Sequence, residues 1–158
     1  MFIEGEGAIK QQGKINMKKI IVVAVIIASF VSNINASNID FDKLINILIM
    51  VESKGNNYAI GDKGKAKGCL QIWKVVVTDV NSVYKTNYKH NDAFNKEKAK
   101  IICKLYLQHY GKIYKLNTGK EPTVEIYSRI WNGGPKGYTN KKTINYWDKV
   151  KKKYLWIK

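Results

Sequence analysis

The stretch that decides the fold is residues 41–72, which read FDKLINILIMVESKGNNYAIGDKGKAKGCLQI. Phe41, Ile45 and Leu48 recur at intervals of four and three residues, the period of one face of an α-helix. Glu52 continues this apolar face at its end. Burial disfavours the charged form of a carboxyl group, and an acid that keeps its proton near neutral pH can donate it. Glu52 is therefore the first candidate functional residue, and a solvated helix-end glutamate is the alternative.

The rest of the chain predicts a mainly α-helical domain. Asp40 is the expected N-cap of the first helix, and a small irregular β-hairpin is expected in residues 58–67. Helices are expected over residues 41–53, 69–84, 95–114, 122–131 and 141–154, separated by Gly- and Asn-rich turns.

Residues 1–36 are interpreted as an N-terminal extension, up to Asn16, followed by an export signal. A basic start at Met17 is followed by an apolar run over residues 20–31, which is short for a membrane span and typical of a secretory signal peptide. We expect cleavage after Ala36 and one domain over residues 37–158. An uncleaved membrane anchor is the alternative.

The chain is strongly basic, with 28 Lys and Arg against 12 Asp and Glu and a net charge of +16. A charge of this size favours a partner of opposite sign, such as an anionic wall polymer or a membrane surface. Export makes nucleic acid a poor candidate.

Cysteine and histidine are scarce. Cys69 and Cys103 allow either a disulfide or two small buried residues. His90 and His109 have no ligand spacing typical of a metal site, so we expect no metal and no cofactor.

Three short motifs follow one another in the chain. The first combines Glu52-Ser53, Gly-Asp-Lys-Gly at residues 61–64 and Gly-Cys-Leu-Gln-Ile at residues 68–72. Ile-Trp-Asn-Gly-Gly at 130–134 and Thr-Ile-Asn-Tyr-Trp-Asp-Lys-Val at 143–150 are the others. In this order they resemble the lysozyme-like superfamily, above all the soluble lytic transglycosylase type and more distantly the goose-type lysozymes. The resemblance implies a lysozyme-like fold, mainly α with a small irregular β region.

The resemblance also implies an activity on peptidoglycan glycan strands. It predicts an exported lytic transglycosylase that cleaves the β-1,4 bond between N-acetylmuramic acid and N-acetylglucosamine. Glu52 is then the catalytic acid and base, and the muramyl product carries a 1,6-anhydro ring. The enzyme class is a lyase, or a glycoside hydrolase if water is the acceptor.

Asp62 and Tyr146 are candidates for catalytic support. Asp62 resembles a loop aspartate that positions water in goose-type lysozymes, but Trp73 stands where those proteins have a second aspartate. This departure counts against hydrolysis, and an Asx turn is the alternative role of Asp62. Tyr146 resembles the family's tyrosine that approaches the catalytic glutamate, with a core aromatic as the alternative.

The resemblance places substrate contacts at Gln71, Asn132, Gly68 and Ile72. Gln71 is expected in the first turn of its helix, where its amide can donate to and accept from an N-acetyl group. Gly68 is expected to let the backbone approach the sugar. Asn132 is expected to bind sugar, to cap its helix, or both.

Three rival functions remain open beside the transglycosylase. The first is a goose-type-like muramidase, the second a non-catalytic cationic cell-wall-binding protein, and the third a membrane-active basic protein. For the first two the expected partner is the peptidoglycan glycan strand, bound by a monomer.

Overall fold

The structure is a computed structural model that describes residues 39–156. The predicted signal segment, with its start at Met17 and its cleavage after Ala36, lies outside these residues. Within the described range no helix combines the length and apolarity needed to cross a membrane.

The described residues form a mainly helical domain with a small antiparallel sheet, which confirms the predicted class at this level. The α-helices are α1 (Phe41–Glu52), α2 (Lys74–Tyr84), α3 (Lys96–Thr118), α4 (Val124–Gly133) and α5 (Ile144–Trp156). The strands are β1 (Ile60–Gly61), β2 (Ala66–Lys67) and β3 (Ile72–Trp73), in the order β1-β2-β3. Short 3-10 turns lie at Asp62–Gly64, His90–Phe94, Gly137–Thr139 and Lys141–Thr143.

Helix α1 contributes five buried side chains to the core. Its first turn is capped as predicted, because Asp40 Oδ1 accepts a hydrogen bond from Lys43 N at 2.9 Å. Leu44 and Leu48 are fully buried within it. The helix ends at Glu52, and the next residue, Ser53, donates from Oγ to the Cys69 carbonyl at 2.8 Å. This bond ties the end of α1 to the loop before β3.

The predicted start of the second helix at Cys69 is wrong. Gln71 adopts a left-handed backbone with φ of 50°, and its N–H donates to the Gly68 carbonyl at 3.0 Å in a turn. The backbone then enters β3, where Trp73 pairs with Ala66 of β2. Because this pairing requires extended backbone, α2 begins only at Lys74, with Trp73 at its N-cap.

Capping residues also set the starts of α3 and α4. Asn95 Oδ1 accepts from Lys98 N at 3.0 Å, and α3 runs four residues beyond the predicted end to Thr118. Thr123 Oγ1 accepts from Ile126 N at 3.3 Å, so α4 begins after Pro122 and not at it.

A polar cluster joins α4 to α5 and so positions the residues of both. Arg129 Nε donates to Thr143 Oγ1 at 3.0 Å, and Arg129 Nη1 pairs with Glu125 one turn earlier at 3.0 Å. The Thr143 hydroxyl also lies 2.8 Å from the Gly137 carbonyl. Thr143 is buried, so its hydroxyl needs these partners.

The two cysteines are buried free thiols. Burial raises the pKa of both, so both stay protonated and unreactive. The sequence left open a disulfide or two small buried residues, and Cys69 and Cys103 are the latter.

Candidate functional site

A cleft of about 460 Å³ opens beside the C-terminal end of α1. Four polar side chains and three aromatic rings are among the described residues that line it: Glu52, Asp62, Gln71 and Asn132, with Trp73, Tyr106 and Trp131. A few polar groups among aromatic side chains are the usual lining of a ligand site.

Glu52, which lines this cleft, contacts Tyr146, although 94 residues separate them in the chain. The Tyr146 hydroxyl donates to Glu52 Oε1 at 2.7 Å. Tyr146 is buried, and burial, followed by the charge of Glu52, raises its pKa well above its usual value. Tyr146 therefore keeps its proton and acts as a donor to Glu52 at every physiological pH.

The pKa of Glu52 is raised above its usual value, and burial is the main cause. Hydrogen bonds from Tyr146 and Trp131 oppose this by stabilising the carboxylate. The charge of Asp62 raises the pKa further, and the charge of Lys149 lowers it. A carboxyl group in this setting can donate a hydrogen bond or a proton to a ligand oxygen at a higher pH than a solvated one.

Tyr146→Phe is expected to raise the pKa of Glu52 further, because it removes the largest influence that stabilises the carboxylate. The pKa is read from the side-chain carbonyl resonance of Glu52 in an NMR titration. Tyr84→Phe is the matched control, since the Tyr84 hydroxyl bonds to the Leu105 carbonyl at 3.1 Å. An unchanged or lower pKa in Tyr146→Phe would contradict this description of the pair.

Gln71 reaches the cleft from the turn before β3. Its Nε2 donates to the Gly68 carbonyl at 2.9 Å and to the Ala59 carbonyl at 3.3 Å. Both amide hydrogens are therefore used within the protein, and no described residue donates to Oε1. The expectation that Gln71 both donates to and accepts from a ligand is corrected: it presents an acceptor.

Gly61→Ala is expected to displace this acceptor. A Cβ at residue 61 would lie 2.2 Å from Gln71 Oε1, while the backbone φ of −125° itself tolerates alanine. The displaced amide loses hydrogen bonds worth about 1 kcal/mol each in the free energy of unfolding. The side-chain amide resonances of Gln71 report the change, and resonances identical to those of the unmodified protein would refute it.

Asp62 and Asn132 lie on the open sides of the cleft. Asp62 is exposed with φ of 48°, and its backbone carbonyl accepts from Lys65 N at 3.2 Å. Within residues 39–156 its side chain accepts no backbone hydrogen bond, so the Asx-turn alternative is not what the structure contains. Asn132 is exposed near the end of α4, where Gly134, with φ of 77°, takes the C-cap position.

Gly68 and Ile72 are not among the described residues that line the cleft. A Cβ on Gly68 would lie 1.8 Å from the Ala93 carbonyl oxygen, so the close approach is to this chain's own backbone. Ile72 is fully buried, and its carbonyl oxygen lies 2.8 Å from His90 Nε2. Both residues position β3 and Gln71.

The aromatic lining was not assigned a role from the sequence. Trp131 contacts Glu52 and packs edge-on against Tyr106, with ring centroids 5.9 Å apart. Trp73 follows buried Ile72 on β3 and is 41% exposed. The alternation of a buried and an exposed side chain on a strand is the signal that identifies Trp73 as a surface ring.

No group of three potential metal ligands clusters anywhere in residues 39–156.

Comparison with known proteins yields a likeness of fold. No protein-family model matches the chain, and no curated protein does. A chain in the crystal structure of Aeromonas hydrophila PliI in complex with Meretrix lusoria lysozyme is similar, with a TM-score of 0.58 and 23% identity. The match covers 70% of this chain and 87% of that chain. At this identity the likeness concerns the fold alone.

This finding counts against the function predicted from the sequence. The similar structure is a complex of PliI with a lysozyme and contains no lytic transglycosylase. We therefore correct the predicted transglycosylase function and the predicted enzyme class of lyase or glycoside hydrolase. The description of the chain as a lytic transglycosylase is corrected with them.

The structure supplies a physical reason for the misreading. Ser53 bonds to the Cys69 carbonyl, Gly68 packs on Ala93, and the Gln71 amide bonds to two backbone carbonyls. These motif residues hold the cleft together whatever the cleft does, and a shared fold does not imply a shared function.

Proposed function

We propose that this chain is a cationic cell-wall-binding protein that uses a lysozyme-like fold to hold a glycan strand in the Glu52 cleft. The observation that carries the proposal is the lining of the cleft, where Glu52, Gln71 and Asn132 lie among aromatic side chains. Amino-sugar polymers present the same mixture, with hydroxyl and acetamido groups around apolar ring faces.

The polar groups match the acetamido and hydroxyl groups of such a strand. Gln71 Oε1 is held as an acceptor and can receive the N–H of an acetamido group. Glu52, when protonated, can donate to a sugar oxygen. Asn132 offers a donor and an acceptor from the exposed end of α4.

The charge of the chain supports a wall polymer as the wider target. A net charge of +16 attracts anionic surfaces over the range of a Debye length, so binding to whole walls is expected to weaken as salt is added. Export by the segment that starts near Met17 would bring the protein to this target.

The experiment is an NMR titration with chitotetraose, a soluble oligomer of N-acetylglucosamine. We expect shifts at Gln71, Trp131 and Asn132, and binding about fivefold weaker in Asn132→Ala, the effect of one lost hydrogen bond. Asn117→Ala, at an exposed residue of α3 outside the cleft lining, is the matched control. The absence of shifts at the cleft would overturn the proposal.

A second candidate is suggested by the protein pair in the similar structure. This chain would then bind a lysozyme-type protein and slow its action on cell walls. The loss of lysozyme activity caused by a stoichiometric inhibitor depends on the ratio of inhibitor to lysozyme. The loss caused by a glycan binder depends instead on the fraction of the wall that it covers. Varying the two concentrations independently in a wall-clearing assay separates the two candidates.

A further inference from the structure

Trp73 and Lys65 form a pair at the edge of the cleft. The Trp73 ring lines the cleft and is 41% exposed. Lys65 Nζ lies over this ring at 5.8 Å from its centroid. A cation within about 6 Å of an indole is attracted by the electrons of the ring, so the ammonium group tends to stay beside the cleft.

The sheet fixes the position of this pair. Trp73 of β3 lies opposite Ala66 of β2, and Lys65 is the neighbour of Ala66 in the chain. The Lys65 backbone N–H is held by the Asp62 carbonyl at 3.2 Å. The ion pairs within residues 39–156 use Lys98, Lys115 and Arg129. No described carboxylate therefore pairs with the Lys65 ammonium group.

The two side chains offer different chemistry to a bound sugar. The exposed indole can cover the apolar face of a pyranose ring. The ammonium group beside it can donate a charge-assisted hydrogen bond to an anion. A neutral amino sugar would contact only the indole, whereas an acidic amino sugar would contact the indole and the ammonium group.

We propose that Trp73 and Lys65 form a subsite for N-acetylmuramic acid, with the sugar on the indole and its free lactyl carboxylate on Lys65. The inference rests on the proposed function and adds a sugar preference to it. The protein then favours peptide-free peptidoglycan strands over uncharged polymers of N-acetylglucosamine.

Lys67 provides a matched control. Its Nζ also lies 5.8 Å from a ring centroid, that of Phe94, and is bonded to Asn91 Oδ1 at 2.8 Å. Phe94 is not among the described residues that line the cleft. Lys65→Met and Lys67→Met thus each remove one positive charge, two residues apart in the chain, but only the first alters the proposed subsite.

The experiment compares the affinities of chitotetraose and a peptide-free tetrasaccharide of alternating N-acetylglucosamine and N-acetylmuramic acid, by calorimetry at low salt. We expect the unmodified protein to favour the muramyl ligand by about fivefold, the effect of one exposed charged contact. Lys65→Met should lose this preference and keep its affinity for chitotetraose, while Lys67→Met should keep both.

The outcomes separate the inference from the function on which it rests. Equal affinities for the two ligands, or a preference that survives in Lys65→Met, would overturn the subsite and leave glycan binding intact. Failure of both ligands to bind would overturn both. Trp73→Ala adds a check, since it should lower the affinity for both ligands.

Discussion

Gly68→Ala is expected to lower the free energy of unfolding by several kcal/mol. Two causes act together. The new Cβ would lie 1.8 Å from the Ala93 carbonyl oxygen, and the φ of 73° is strained for any residue with a side chain. Because the clashing atom is a backbone carbonyl oxygen in a packed turn, no flexible side chain can move to relieve the clash.

Gly119→Ala separates these two causes. Gly119 has nearly the same φ, 70°, but a Cβ there would meet nothing within 4 Å. This variant should cost about 1 kcal/mol, which is the backbone strain alone. Urea unfolding of both variants gives the comparison, and equal losses would show that Gly68 is not pressed against Ala93 in solution.

The free energy of unfolding of Glu52→Gln is expected to rise, relative to that of the unmodified protein, as the pH rises. The pKa of Glu52 is raised in the folded state, mainly by burial. Its contribution to stability is therefore fully present below the unfolded pKa and is lost as the pH rises through the folded pKa. Glutamine carries no charge at any pH and avoids this loss.

The difference in free energy of unfolding grows by at most about 1.4 kcal/mol per pH unit between the unfolded and the folded pKa of Glu52, and then levels off. Urea unfolding at about pH 4 and about pH 8 measures it. Glu97→Gln, which removes an exposed carboxylate in the first turn of α3, is the control. A constant difference for Glu52→Gln would mean that Glu52 is solvated like Glu97.

Local patterns were enough to predict that the helices are present, but not all of their ends. The apolar period of α1 and the cap at Asp40 are both present, and α3 begins directly after Asn95, its cap. The error at Cys69 has a non-local cause, because β3 forms only when β2 is available to pair with it. A strand of two residues leaves no periodic pattern to read.

The candidate site was predictable only in part. The cleft brings together Glu52, Gln71 and Asn132, which the family resemblance had singled out, and Tyr146 lies against Glu52. The resemblance could not tell that both hydrogens of the Gln71 amide are bonded within the protein, or that Gly68 packs on Ala93. Those facts depend on which backbone carbonyls lie nearby.

Function was the least predictable level. The motifs specify a helix end, a tight turn and an acceptor in a cleft, and these features serve binding as well as cleavage. The pair of Trp73 and Lys65 belongs to no motif, yet it is the feature from which we infer a sugar preference.

Wall binding without cleavage is tested most directly on purified peptidoglycan sacculi, incubated with the unmodified protein and with Glu52→Gln. Sedimentation measures the protein bound, and mass spectrometry of the supernatant measures any sugar released. We expect that the unmodified protein binds, that added salt and chitotetraose reduce this binding, and that no soluble sugar appears. Absence of binding, or release of muropeptides that disappears in Glu52→Gln, would contradict this expectation.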